Sequence, residues 1–193
     1  MEGAVSRMTV EEYLQRPEAV RRQELAYGLV REPAVPSLDH QSTVTRLTVI
    51  LDRHVRRHGL GQICVSSVDV VLDRERALIV QPDIVFVSSE RAAMVTDRVW
   101  GAPDLVVEVL SVGNERHIRV TKLAWYRKYG VRECWFADPL GRTVEVLRLS
   151  RGQEEGARDL YRGAVPICSH VLGPLAVRTE RLFKEGTLGA TGH

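Results

Sequence analysis

At 193 residues the chain is long enough for one domain with a sizeable core and short for two ordinary ones. Hydrophobic residues make up 44% and charged residues 27%, which excludes disorder as the main theme. The net charge is only +2, so any contact with nucleic acid must come from local clustering of Lys and Arg.

Cys64, Cys134 and Cys168 are odd in number and lack zinc-knuckle spacing. Cys134, in the run Cys134-Trp135-Phe136-Ala137, reads as a buried small hydrophobe. The start, Met1 to Met8, has no apolar h-region, and the longest apolar runs have strand length. The expected protein is cytoplasmic, without a signal peptide or a membrane span.

Thr9-Val10-Glu11-Glu12 is a capping box that opens a short helix stopping near Pro17. Gln23 to Glu32 predicts a hairpin, or a strand with a turn at Gly28. Pro33 and Pro36 interrupt regular structure. Asp39 or Ser37 caps a helix over about 40–58, whose apolar positions Val44, Leu47, Ile50, Leu51 and Val55 recur at helical spacing. Its outer face carries Arg46, Arg53, His54, Arg56, Arg57 and His58, either as a solvated face or as a phosphate-contacting patch.

Two Val- and Ile-rich strands follow near 62–72 and 78–87. Trp100-Gly101-Ala102-Pro103 leads into a strand over Asp104 to Leu110. A helix from about Arg116 to Tyr129 is closed by Gly130. Strands at 132–137 and 143–149 are joined by the turn Asp138-Pro139-Leu140-Gly141. Arg151 to Arg158 reads as a polar excursion. The ends, 1–7 and 187–193, read as frayed around a core of about 8–184. Strands flanked by helices in mixed order predict an α/β (α+β) fold, a single domain over 1–193 around a mixed central β-sheet.

Three charges stand where apolar residues are expected. In Leu105-Val106-Val107-Glu108-Val109-Leu110 the strand is apolar on both faces, so Glu108 is a carboxylate that needs a cation or donors. Asp83 interrupts the run from Ala77 to Val87 through Gln81-Pro82-Asp83. At about 100° per residue, Ile118, Lys122, Trp125 and Tyr129 share one helical arc, with Tyr126 beside it, so Lys122 points inward. Two buried acids and a buried base can simply neutralise one another, as a structural network. They also suit phosphodiester hydrolysis, where carboxylates hold magnesium or manganese and a lysine offsets charge in the transition state.

Other polar residues have milder readings. Asp104 is a turn or strand-edge residue with some chance of lining the site. Asp138 forms a turn, and Ser111 either meets a metal-bound water or ends its strand. Trp100, Trp125 and Trp135 are read as core rather than base-stacking platforms. No Walker or dinucleotide fingerprint is present.

Gln81-Pro82-Asp83-Ile84-Val85, Ala102-Pro103-Asp104-Leu105-Val106-Val107-Glu108-Val109-Leu110-Ser111, Lys122 with Tyr126, Gly130-Val131-Arg132-Glu133-Cys134-Trp135 and Asp138-Pro139 together resemble the Uma-two family of restriction endonuclease-like proteins. That family is widespread in bacteria and lies within the PD-(D/E)XK nuclease superfamily. Met8 to Leu14, Glu24-Leu25 with Gly28, His40, Ser169 to Gly173 and Leu182-Phe183 fit as well, so the resemblance covers roughly 8–184.

The resemblance implies a restriction endonuclease-like fold, a DNA substrate, a Mg2+ or Mn2+ cofactor and a homodimer. Asp83 and Glu108 match the two acidic positions and, with the Val109 carbonyl, would bind the metal. Leu110 stands where the superfamily places its lysine; the family carries that lysine on the following helix, where Lys122 falls. Glu24 matches the N-terminal acidic residue of such sites. His40 matches a recurrent histidine, either a substrate contact or a helix-capping or core residue. Relatives usually have an aspartate one turn before the lysine, where this chain has Ile118, which weakens the implied site. The leading expectation is thus a metal-dependent endodeoxyribonuclease-like protein. The alternatives are a catalytically impaired dimeric DNA-binding or interaction module, and an accessory nuclease subunit needing a second protein.

Overall fold

The computed structural model describes residues 7–17, 21–150 and 156–183. It opens with α1 (Val10–Leu14), where the Thr9 hydroxyl accepts from the Glu12 N–H and the Glu12 carboxylate accepts from the Thr9 N–H. A hairpin follows, β1 (Glu24–Ala26) and β2 (Leu29–Arg31). Its two turn residues, Tyr27 and Gly28, both take left-handed φ angles of 51° and 86°. Two positive φ values are what a tight turn needs to follow the strand twist, and glycine supplies one of them without strain. Ser37, not Asp39, caps α2 (Leu38–His58), its side chain accepting from the His40 N–H. Gly59 ends this helix in the left-handed region.

The two long runs predicted as strands each break in the middle. The first divides into β3 (Gly61–Val65) and β4 (Val70–Asp73), the second into β5 (Leu78–Val80) and β6 (Ile84–Ser88). After a 3-10 turn over Ser89–Met94 come β7 (Val99–Trp100) and β8 (Leu105–Val109). The halves of each broken run join different sheets. One sheet has the order β2-β1-β5-β4-β7 and includes the hairpin. The larger one has the order β11-β10-β9-β8-β6-β3, with β9 (Glu133–Asp138), β10 (Thr143–Arg148) and β11 (Arg158–Arg162). Each broken run therefore crosses between sheets, the first near Ser66-Ser67 and the second at Gln81-Pro82-Asp83. Proline ends ladder hydrogen bonding, so the break at the second crossing is written into the sequence, though the change of sheet is not. The expected α/β (α+β) fold of mixed sheet and flanking helices is present, and among the described residues its strands divide into a five-stranded, a six-stranded and a two-stranded sheet.

The helix before β9 also differs from expectation. It begins as a π-helix over His117–Lys122 and becomes regular only in α3 (Leu123–Tyr129), closed by Gly130. Widened turns of this kind are rare and concentrate at functional sites. The 3-10 turn and β7 were not foreseen, nor were β11, β12 (Pro166–Ser169), β13 (Gly173–Arg178) and α4 (Thr179–Leu182); β12 and β13 pair antiparallel. Of the expected polar excursion, 151–155 lie outside the described residues, and Arg158 already belongs to β11. The expected frayed ends fall outside them too, except Arg7.

The larger sheet buries both faces. Leu47, Leu51 and Val55 of α2 pack with Ile84, Phe86, Leu105, Val107 and Trp135 on one face. On the other, Val85, Val106, Cys134 and Phe136 pack with Tyr126 and Trp125 of α3 and with Val70, Leu78 and Val80 of the second sheet. Cys134 and Trp135 are core residues as expected. Trp100 is not: it is 37% exposed, its indole N–H donates to Thr96 and Arg98 lies over its ring. Asp138 does form a turn, accepting from the Leu140 N–H.

Asp104 has a bracing role. Its wholly buried carboxylate accepts from the Ser88 N–H at 2.9 Å, from Arg91 at 3.0 Å and from Arg132 at 3.2 Å, tying β6, the 3-10 turn and β9 together. Removing this acceptor leaves the Ser88 amide without its partner and takes the carboxylate brace from Arg91 and Arg132, which stay in contact with water. Asp104→Ala is expected to lower the unfolding free energy by about 2–4 kcal/mol in urea denaturation. Any cleavage activity of the folded fraction should be unchanged.

Candidate functional site

Register carries the site. In the antiparallel pairing of β6 and β8, Ile84 faces Val107 and Val85 faces Val106. Continuing one step past Ile84 brings Asp83 opposite Glu108. Glu108 alternates with Val106 and Leu110 and so looks toward α3 rather than α2. Glu24 enters from the first residue of β1, in the second sheet, and Lys122 from the last residue of the π-helical turn. His40 comes from the first turn of α2. All five predicted side-chain positions are 2–4% exposed, and all five line one cavity of about 190 Å³. Ser111 lines it as well, half-buried, with its N–H donated to Asn114.

The Lys122 ammonium lies 2.9 Å from Glu24 Oε1 and 2.5 Å from Glu108 Oε1. It thus bridges acids borne by the two sheets. The Tyr126 hydroxyl donates to the same Glu108 oxygen, and the Gln81 N–H donates to Glu24 Oε1 at 2.9 Å. Asp83 is held differently. Its Oδ1 takes Arg22 at 2.7 Å, while Oδ2 takes the Val109 N–H at 2.7 Å and faces His40 Nε2 at 3.3 Å.

These contacts sort the acids. Burial works against the charge on Glu24, but Lys122, the Gln81 N–H and Arg22 outweigh it, and its carboxyl is held below the usual range. Burial likewise opposes Asp83, and His40, Arg22 and the Val109 N–H overcome it, again lowering the carboxyl. Glu108 goes the other way. Its burial, with repulsion from Asp83 and Glu24, exceeds the attraction of Lys122, and its carboxyl is pushed up. Lys122 loses hydration on burial, yet Glu108 and Glu24 more than restore its charge, so it stays a cation. Three carboxylates thus face two permanent cations, Lys122 and Arg22, and the surplus negative charge is felt at Glu108.

Among the described residues, no group of three or more His, Cys, Asp or Glu side chains is gathered to hold a metal ion. The donor chemistry still fits a hard divalent cation that keeps most of its waters, since such an ion takes one or two carboxylates rather than a full protein cage. Asp83 and Glu108 would supply them, and the surplus negative charge is what such an ion would offset.

Arg22 was not foreseen. It stands in irregular chain before β1, where no periodicity marks it out from other basic residues. Tyr126 was placed on the right arc, but its hydroxyl donation to Glu108 was not. Ile118 lines the cavity and is buried, so it presents an apolar wall there. Asp104 lies outside the lining. The basic C-terminal end of α2 lies roughly 20–27 Å along the helix from His40, at 1.5 Å per residue. There Arg56 pairs with Asp52, and His54 bonds the Leu172 carbonyl. That patch shares no wall with the cavity.

A family model, Uma2, described as "Putative restriction endonuclease", matches residues 10–177. Among solved structures, the chain is similar to "a putative nuclease belonging to DUF820" from Anabaena variabilis, with a TM-score of 0.75 and 18% identity. The likeness covers 91% of this chain and 97% of that one. At that identity it speaks for the architecture alone. A comparison with curated proteins gives no match. Among the described residues no helix is long and apolar enough to cross a membrane.

Proposed function

The chain belongs to the Uma2 restriction endonuclease family, and from that premise we propose that it hydrolyses phosphodiester bonds in DNA at the cavity bounded by Glu24, Asp83, Glu108 and Lys122, with Mg2+ or Mn2+ as cofactor. One observation carries the reading: a fully buried ammonium bridges two carboxylates from different sheets, beside a third acid, at a cavity rather than in a sealed core.

Asp83 and Glu108, with the Val109 carbonyl, would hold the metal, which when bound lowers the pKa of a coordinated water and offsets charge on the leaving oxygen. The remaining work falls to side chains. Lys122 is cationic at every physiological pH, so it can steady a phosphoryl oxygen as negative charge builds on it. Glu24 fixes that ammonium from the second sheet. Tyr126 fixes the Glu108 carboxylate by donating to one oxygen. Arg22 balances Asp83 and is the nearest permanent cation on the side away from Lys122. His40, on the other Asp83 oxygen, stands where it can contact substrate. A homodimer would present two such cavities to the two strands of a duplex.

The decisive experiment is cleavage of plasmid or single-stranded DNA with manganese by wild type, Asp83→Ala and Lys122→Ala. The wild type should cleave, and each variant should lose activity by about 10²–10³-fold, the size expected when a transition-state charge partner is removed. Equal cleavage by all three would mean a contaminating nuclease and end the assignment.

A second reading is favoured by particular contacts. Both Asp83 oxygens and the Lys122 ammonium already have partners inside the protein, and Ile118 replaces the family's usual aspartate. The set then serves as a structural charge network in a dimeric DNA-binding or interaction module.

A further inference from the structure

A second cavity, of about 470 Å³, lies against the first, and Arg22, His40 and Asp83 line both. Pro33, Ala34 and Pro36 also line both cavities. Proline fixes its own φ, so this shared segment needs little ordering when something docks against it. Beyond the shared wall the chemistry divides. Val44 and Val49 of α2, with Val65 at the end of β3, bring apolar surface to the lining, interspersed with Gln41, Thr45 and Thr48. Arg21, Ser66 and Ser67 make the other side basic and hydroxylated.

Buried polar atoms without partners gather here. Among the described residues, His40 Nδ1, Arg22 Nε and Ser66 Oγ are buried with no hydrogen-bond partner. His40 as a whole is 4% exposed. Buried donors and acceptors are rarely left empty-handed, and three orphans around one cavity mark a place that a polar ligand or ordered water completes. The volume lies within the range of small-molecule clefts, roughly 300–1,000 Å³, and is far more than one water needs. Arg21 makes no ion pair among the described residues and is exposed at the rim, so an anion would meet an uncompensated cation there.

We propose that this second cavity is a subsite for the nucleotide adjoining the bond to be cut, its base against Val44, Val49 and Val65 and its phosphate toward Arg21 and Ser67. The proposal rests on the phosphodiesterase reading, because the two cavities share the Arg22–His40 wall and a chain held at the first can continue past it into the second. It also assigns Arg22 and His40 a shared position between the reacting phosphate and its neighbour.

The test is binding, measured in chelator and so independent of catalysis. Titration calorimetry compares deoxythymidine 5′-monophosphate, thymidine and inorganic phosphate against wild type, Arg21→Ala and Val49→Asp. Both substitutions are on exposed side chains outside the first cavity, and melting temperatures matching wild type establish that the variants fold. The nucleotide should bind at least about tenfold more tightly than either fragment, and each variant should lose about tenfold, or 1.4 kcal/mol. Equal affinity for inorganic phosphate and the nucleotide overturns the subsite, as does unaltered nucleotide binding by Val49→Asp. Nucleotide binding with these variant effects in a protein that cleaves no DNA supports the subsite and removes only the catalytic reading.

Discussion

Lys122→Met is expected to lower the unfolding free energy by about 3–5 kcal/mol at pH 8 in chelated buffer, and by progressively less as the pH falls toward 5. Methionine has a similar length but leaves Glu24 and Glu108 facing each other without the cation that lies 2.9 Å and 2.5 Å from them. Breaking a buried pair from one side leaves uncompensated charge, which is the costly way to break it. The Glu108 carboxyl is already pushed up by burial, Asp83 and Glu24, and Lys122 is its main restraint. Without Lys122 that carboxyl rises further, and Glu24 rises with it. An acid whose folded pKa exceeds its unfolded value keeps its proton in the native state while the unfolded chain releases it. Stability is then greatest below the unfolded value, near the ordinary carboxylate range, and falls as pH climbs through the folded one. The wild type carries the opposite linkage at Glu24 and Asp83, whose lowered carboxyls contribute stability at neutral pH and lose it in acid. The two stability curves should therefore converge in acid. Urea midpoints read at several pH values check this, and a penalty under about 1 kcal/mol, or one that does not vary with pH, is incompatible with a buried ammonium between two acids.

Much of the cavity was legible because strand and helix periods expose a charge on the wrong face. Glu108 is marked by its place between Val106 and Leu110, and Lys122 by an arc shared with Ile118 and Trp125. The π-helical turn preserves the Ile118 to Lys122 proximity, since one wide turn still brings residues four apart near each other. Asp83 was visible as a break in an apolar run. That the break changes sheets was not, because a half-buried strand and a buried crossover read alike in a list of valines and isoleucines. Ser66-Ser67 shows the same limit: two serines and Asp69 interrupt the valines of the run from 62 to 72, yet nothing there announces that its halves pair with different neighbours.

Arg22 illustrates a different gap. Nothing local constrains a coil arginine, and its place on Asp83 depends on a pairing 61 residues away. The late strands were hidden by their own starts, Pro166 and Gly173-Pro174, which carry turn chemistry, and by exposed positions along β11. Asp104 was assigned correctly to the entrance of its strand, but its burial among Ser88, Arg91 and Arg132 is a product of packing that no neighbour in sequence announces. Local signals thus located Asp83, Glu108 and Lys122, the family resemblance supplied Glu24 and His40, and the partners that hold each acid came from tertiary pairing.

Whether the carboxylates serve a metal or only one another is decided by Glu108→Gln. In the metal reading the surplus negative charge at Glu108 is tolerated in the free protein for the sake of the ion. Replacing it with an amide then removes repulsion from Asp83 and Glu24, leaves Lys122 paired with Glu24, and still offers an oxygen to the Tyr126 hydroxyl. The metal-free variant should melt at or above the wild-type temperature. Manganese at a hundredfold excess over its dissociation constant should stabilise the wild type by about 2.7 kcal/mol, or roughly 5–10 °C for a chain of this size, and leave Glu108→Gln unmoved. A purely structural network predicts the reverse on both counts. There the variant loses several kcal/mol because Lys122 loses half of its compensation, and the wild type ignores manganese. The sign of the metal-free shift separates the readings even where cleavage is too slow to see. It depends on whether burial, together with repulsion from Asp83 and Glu24, outweighs the attraction of Lys122, and the raised Glu108 carboxyl, with burial as its largest cause, points that way.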